Sequence, residues 1–215
     1  MVLAIGESDN RERDLTMTTS PTSAVLVIDM QNDTVHADGA YASFGAAEHA
    51  AAQNVVGNIG TLLDAARASA TPVFYSRIVV YPVPGLGGDN APIFQMLAPD
   101  TFKVDSWGAA IVDELTPQAG DIVLDRTRMS VFNGTEINTM LRNLGVTDLI
   151  VVGAWTNMAV EHTIRDAADH GYTVTIVEDS TSSLGAEWQH AAVSFALTNI
   201  ATNIDTATAR AALAI

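Results

Sequence analysis

The sequence predicts an α/β fold of three layers, α/β/α, built on a mainly parallel sheet of six strands. Three observations predict it. Short apolar, β-branched runs alternate along the chain with longer segments whose apolar residues recur at helical spacing. The strand runs are continuously apolar rather than alternating, as strands covered on both faces are. The 215 residues are 48% hydrophobic and only 16% charged, enough apolar material for one extensive core and a length that fits a single domain.

Residues 1–22 are polar, of mixed charge and end in "TTSPTS", which reads as a flexible N-terminal arm before a domain spanning 23–215. "AVLVID" is too short for a helix and is expected to be the first strand. The Ala-rich "AAEHAAAQNVVGNIGTLLDAARAS" carries helical spacing, and "PVFYSRIVV" follows as a strand. "YPVPGLGGDNAP" is a Pro and Gly loop long enough to serve as a functional loop or lid. Thereafter the pattern predicts a helix over 108–115, the strand "DIVLD", a helix over 134–144, the strand "DLIVVG" and a helix over 157–170. The strand "TVTIVED", a helix over 186–198 and a short last strand near "NIATNI" complete the domain.

Composition removes several functions. The formal charge is −15 and the ten basic residues are scattered, which argues against a nucleic acid partner. No window holds eighteen uninterrupted apolar residues and the first residues lack the pattern of a signal peptide, so no membrane association and a cytoplasmic location are expected. With no cysteine, disulfides, thiolate metal sites and thiol catalysis are excluded for the chain as written. Lys103 is the single lysine. The histidines at 36, 49, 162, 170 and 190 show no metal-ligand spacing, and neither a metal nor another cofactor is expected.

Parallel sheets bind ligands beyond the carboxyl ends of their strands. Those ends carry Asp29, Ser76 with Arg77, Asp125 with Arg126, and the turn Gly153 to Ala159. Locally, Asp29 could cap a turn in "DMQND", Asn32 and Asp33 read as turn and capping residues, and Arg126 and Arg128 could be surface charges. Arg165 with Asp166 reads as a structural ion pair, Asp179 as a tie for the loop after its strand, and Asn157 as a helix N-cap.

Three segments in order, "VLVIDMQND", "RTRMSVFNGTEIN" and "VVGAWTNMAVEHTIRDA", resemble the signature segments of the isochorismatase-like, or cysteine hydrolase, superfamily. The resemblance covers roughly residues 23–205, and its amidohydrolase branch is the nearer in pattern. It implies that Asp29 is the general acid/base carboxylate, which in that branch takes the proton of an attacking thiol. Arg126 falls where the family usually places a lysine, four residues before Ser130 of "MSVF". Ala159 falls where the amidohydrolases have their nucleophilic cysteine. The implied oxyanion hole is formed by the main-chain amides of Trp155 and Ala159, with a cis peptide between Ala154 and Trp155. Amides at the start of a helix favour a developing oxyanion, and a cysteine there would have a lowered pKa. The metal motif of the nicotinamidase branch has no counterpart in "YSRIVVYPV".

The resemblance therefore implies a hydrolase of a small amide, carbamoyl or ureido compound that works through a cysteine thioester, here without its nucleophile. Alanine at 159 is also the replacement that would hold a substrate complex before its first chemical step. Two other readings stand beside it: an isochorismatase-type vinyl ether hydrolase using Asp29 with no covalent intermediate, and a natural pseudoenzyme that binds through the retained pocket. Arg126 keeps a permanent charge beside Asp29 but does not pass a proton readily, which weighs on both catalytic readings. Phe44, Tyr81, Trp155 and Asn157 are the substrate-binding candidates, with Tyr41 and Phe94 from the same loops. The expected partner is a small molecule, and the resemblance together with the Ala-rich helices implies a homo-oligomer, a dimer or tetramer.

Overall fold

The computed structural model describes residues 23–97 and 100–214, so the expected arm over residues 1–22 lies outside the described residues. Six parallel strands form one sheet in the order β3-β2-β1-β4-β5-β6: β1 Ser23–Ile28, β2 Val73–Ile78, β3 Ile122–Arg126, β4 Asp148–Ala154, β5 Thr173–Ser182 and β6 Thr202–Ile204. The helices are α1 Asn32–Val35, α2 Ala46–Ala52, α3 Val55–Ala68, α4 Pro92–Gln95, α5 Ile137–Asn143, α6 Glu161–Asp169, α7 Ala186–Ala191 and α8 Thr206–Leu213. This is the expected three-layer arrangement.

Continuous apolarity in the strands has a direct structural cause. Val25 and Val27 of β1 face one layer, where α3 contributes Ile59, Leu62 and Leu63 and α8 contributes Ala209 and Leu213. Ala24, Leu26 and Ile28 face the other, packed with Ile137 and Leu141 of α5 and Ile164 of α6. Both faces of the central strand are thus buried, and neither tolerates a polar alternation.

The sheet order reverses between β1 and β4, which lie side by side although their paired starts, Ser23 and Asp148, are 125 positions apart in the chain with β2 and β3 between them. Helices leaving such neighbours go to opposite faces and open a crevice at the carboxyl ends. Asp29 follows β1 and Trp155 follows β4, so both stand at that crevice.

Several expected helices are shorter or broken. The expected helix over 108–115 is an irregular segment with one 3₁₀ turn at Asp113–Leu115. Its main chain bonds elsewhere: Gly108 and Ala110 carbonyls accept from Asp33 and Asn32 amides at 3.0 and 2.9 Å, and the Val112 amide donates to Met30 at 3.0 Å. The long Ala-rich segment divides into α2 and α3 at Asn54, which adopts a left-handed conformation with φ 53°. The expected helix over 157–170 opens with a π-helical turn at Thr156–Val160, and that over 186–198 ends with another at Ala192–Ala196. The expected helix over 134–144 begins only at Ile137. The short helices α1 and α4 have no periodic signal to announce them.

Candidate active site

Close approach of β1 and β4 builds the site. Gly153 pairs with Ile28, has φ 117°, and a Cβ there would lie 2.1 Å from the Ile28 carbonyl oxygen. Only glycine permits this contact and this backbone conformation. Asp29 leaves β1 with φ 50°, its amide held by the Ser76 carbonyl at 2.9 Å. Beyond Gly153 the Ala154–Trp155 peptide is cis, and the π-helical turn begins at Thr156.

That turn is tied down from the end of β5 and from α7. Thr156 Oγ1 donates to Gln189 Oε1 at 2.6 Å, and Gln189 Nε2 donates to Thr181 Oγ1 at 2.9 Å. Ser183 Oγ donates to Asn157 Oδ1. Asn157 therefore anchors the turn to the residue just after β5 rather than capping the helix, for no side-chain cap bond forms at either the π-helical turn or α6. Met158 and Val160 amides both donate to the Trp155 carbonyl, at 2.9 and 3.3 Å.

Arg126 ends β3 and reaches across β2 to Asp29. Its Nη1 donates to Asp29 Oδ1 at 2.5 Å and to Ser76 Oγ at 2.9 Å. Its Nη2 donates to Asp29 Oδ2 and to the Met129 carbonyl, both at 2.8 Å, and Nε donates to the same carbonyl at 3.2 Å. A guanidinium has five N–H donors, and these five bonds engage all of them. The pair is deeply buried, with side-chain exposures of 0% for Arg126 and 8% for Asp29. Burial pushes the Asp29 carboxyl above its ordinary range, while the charge and hydrogen bonds of Arg126 pull it down.

Asp29, Trp155 and Ala159 line one cavity of about 40 Å³, walled also by Thr34, Tyr41, Phe94, Met129 and Met158. Three of the expected binding residues stand elsewhere. Phe44 is 47% exposed and packs its ring against Tyr41, 5.7 Å between centroids, outside the cavity. Tyr81 lines a neighbouring chamber of about 450 Å³ under the Pro and Gly loop, together with Lys103. Asn157 is half-buried in the bonds just described and does not line the cavity. Phe94 and Leu97 belong to the walls of both spaces.

Other charged residues have structural partners. Arg165 bonds Glu161 at 2.9 Å and Asp166 accepts from Asn133 at 3.0 Å, so the expected Arg165–Asp166 pair does not form. Neighbours one residue apart on a helix point in different directions. Arg128 donates to the Gly87 carbonyl at 2.9 Å and lies 3.8 Å from the Phe94 ring centre, holding the Pro and Gly loop against the site. Asp179 accepts from the amide and hydroxyl of Thr206, at 2.8 and 2.7 Å, and fixes the start of α8. Among the described residues no group of three or more His, Cys, Asp or Glu side chains is placed to hold a metal ion. No helix among them is long and apolar enough to cross a membrane.

A carboxylate, a guanidinium and a strand-to-helix turn around one cavity invite comparison with known proteins. The Isochorismatase domain matches residues 23–208. The chain belongs to the isochorismatase family. Among curated members, the ureidoacrylate amidohydrolase RutB of Rhizobium rhizogenes is 35% identical over 195 residues, covering 83% of this chain and 77% of that protein. The protein of the same name from Yersinia enterocolitica is 33% identical over 193 residues, covering 84% and 82%. Among solved structures, an isochorismatase family protein from Desulfovibrio vulgaris superposes with a TM-score of 0.78 at 28% identity, covering 90% of this chain and 99% of that one. The N-carbamoylsarcosine amidase from Thermoplasma acidophilum superposes at 0.69 with 25% identity, covering 86% and 97%.

Within this isochorismatase-family fold, sequence reasoning named Asp29, Arg126, Trp155 and Ala159, and the structure brings these four together. It missed Thr34, Met129 and Met158. The last two lie within the quoted segments, one after Arg128 and one before Ala159, and the turn geometry that aims them inward is not legible in residue type.

Proposed function

We propose that this chain carries the scaffold of an amidohydrolase for a small amide, carbamoyl or ureido compound, and that it binds such a compound without forming a thioester. The observation that carries the reading is the meeting of Asp29, Trp155 and Ala159 on one cavity at the β1–β4 crevice. The RutB relatives support the amide-hydrolysing class by their names. In this reading the carbonyl oxygen of the ligand faces the amides of Trp155 and Ala159 at the start of the helical segment, where the dipole favours negative charge. Asp29 is the base for a thiol that residue 159 does not supply. Without that thiol no covalent step begins.

Ala159→Cys tests it by ammonia release from a panel of small amides and ureido compounds. Turnover that appears with the cysteine and is absent from the unaltered chain supports the proposal. A folded Ala159→Cys protein inert across the panel, alone and combined with Arg126→Lys, overturns the enzymatic reading.

The Arg126 contacts favour a second reading, a binding protein on a hydrolase fold. Ser76 Oγ and the Met129 carbonyl accept from the guanidinium in addition to Asp29, so the socket suits arginine and not merely a positive charge. An arginine that holds both oxygens of Asp29 leaves no lysine-like group to relay a proton. Activity that requires Arg126→Lys as well as Ala159→Cys would show that two separate changes took the fold away from catalysis.

A further inference from the structure

The cavity beside Ala159 is small for any compound that carries more than a few heavy atoms. Its volume is about 40 Å³, room for a few water molecules at about 10–15 Å³ each, whereas small-molecule sites enclose about 300–1,000 Å³. Two larger spaces adjoin it. One is the chamber of about 450 Å³ under the Pro and Gly loop. The other is an outer chamber of about 620 Å³, bordered by Arg128, Ser130, Asn133 and His162.

Phe94 lines all three spaces. Ile93, Met129 and Met158 join it in lining both the inner cavity and the outer chamber, so the wall between these two is one side chain thick. Two of its members are methionines, whose unbranched chains repack readily. Towards the Pro and Gly loop, Leu97 shares the wall with Phe94. Phe94 stands on α4, a helix of four residues that is too short to hold itself in place. A clamp does so instead. Arg128 lies 3.8 Å from the ring centre, and its Nη1 donates to the Gly87 carbonyl at 2.9 Å while Nη2 reaches Asn90 Oδ1 at 3.5 Å. Gln95 of α4 donates to the Asp89 carbonyl at 2.8 Å. Loop, helix and ring are thus fastened together around a half-buried arginine, and contacts this open to water give way at modest cost.

We infer that Phe94 is a movable partition latched by Arg128, and that a ligand reaches Ala159 from the outer chamber when the ring swings aside. With the partition open, inner cavity and outer chamber form one space within the range of small-molecule sites. The inference rests on the proposed function only in taking the inner cavity as the ligand's destination. It requires no turnover.

Because the sequence has no cysteine, Ala159→Cys places a single thiol on the inner cavity, and its alkylation by iodoacetamide reads the opening directly. Rates are taken at a pH where the thiol is fully ionised, so that a change in its pKa does not mimic a change in access. Added to that background, Arg128→Met should speed labelling by about tenfold, and Phe94→Ala by at least as much. Once Phe94→Ala has removed the partition, Arg128→Met should add nothing further. Asn133→Trp, which narrows the outer chamber, should slow labelling, while Leu86→Trp, on the Pro and Gly loop, should leave it unchanged. An unaltered rate in Arg128→Met overturns the inference, as does slowing by Leu86→Trp and not by Asn133→Trp. Amide protection in β1 and β4, read on the same samples, should stay constant, because local opening leaves it untouched; its loss in step with faster labelling also overturns the inference. Should Phe94→Ala not fold, the Arg128 and tryptophan variants still decide. A thiol at 159 that labels as expected yet releases no ammonia from any amide removes the enzymatic reading and leaves the partition standing, so the two fail separately.

Discussion

Asp29 and Arg126 show what a buried ion pair does to a site. Each would be costly alone, and the pair is sustained by two parallel bonds to the carboxylate and three more from the guanidinium. Arg126→Met should therefore cost about 3–5 kcal/mol at neutral pH, read from urea unfolding, because it strands a buried carboxylate. The deficit should also depend on pH. Burial already pushes the Asp29 carboxyl up, and loss of the cation removes the opposing influence and pushes it further. A carboxyl whose folded pKa exceeds its unfolded one takes up a proton on folding, so its contribution is greatest below the ordinary carboxylate range and is lost as pH rises through the folded value. Acidification protonates the stranded Asp29 of the variant and returns part of its stability relative to the unaltered chain. A deficit that stays constant from neutral pH to about pH 5 would refute this account.

At the scale of the element, the turn after β4 is the part that matters for function and the part least secured by its own sequence. Gln189 sits 33 residues beyond Thr156 and joins it to Thr181 of β5. Gln189→Leu roughly keeps the volume and strands the buried Thr156 hydroxyl, while Thr181 keeps its bond to the Glu178 carbonyl, so it should destabilise by about 2 kcal/mol. Amide hydrogen exchange should speed up at 156–161 before it does so in β1 or β4; uniform loss of protection would mean that Gln189 supports the fold rather than the turn. A second element-scale contact ties α3 to the sheet: Arg67 Nη2 donates to Asp121 at 2.7 Å and to the Tyr75 hydroxyl at 3.2 Å. Burial pushes the Tyr75 phenol from its ordinary 10.0 up to about 12. Its neutral form is thus favoured by folding, so the contribution is whole below pH 10 and disappears as pH rises towards 12. Tyr75→Phe should flatten the alkaline fall in stability over that window, as a series of unfolding curves would show.

The same scale explains what was legible in the chain. The strands could be read because both faces of β1 are buried, which leaves an unbroken apolar run, and because Asp29, Arg126 and Trp155 stand at the ends of such runs. The helix expected over 108–115 failed because the carbonyls of Gly108 and Ala110 bond residues 32 and 33, a pairing across more than seventy residues that no local period records. Asn32 and Asp33 looked like turn residues for the same reason. Asp33 in fact accepts from the amides of Ala40 and Phe102, at 3.1 and 2.7 Å, and so joins the loops that roof the cavity. Phe44 and Tyr81 are large residues in loops near the site, and loop position alone does not say which way a ring turns.

For the molecule as a whole, the imbalance of 25 acidic against 10 basic residues sets a self-repulsion that the compact state must carry. Among the described residues the ion pairs include buried and partly exposed ones. Arg126–Asp29 is buried, whereas Arg77–Asp125 and Arg165–Glu161 are partly open to solvent. Salt acts on these differently. The screening length falls from about 30 Å at ~0.01 M to about 8 Å at ~0.15 M ionic strength, which suppresses repulsion between distant surface carboxylates and barely reaches a pair inside the protein. The exposed pairs lose some attraction, but each is worth only about 0–1 kcal/mol. Repulsion should therefore dominate the response, and the melting temperature should rise by a few degrees, roughly 1 kcal/mol of stability, as sodium chloride is added over that range. A fall would show that the surface ion pairs outweigh the excess of carboxylates. If Arg126→Met abolished the rise altogether, the charge that salt screens would lie in the site and not on the surface.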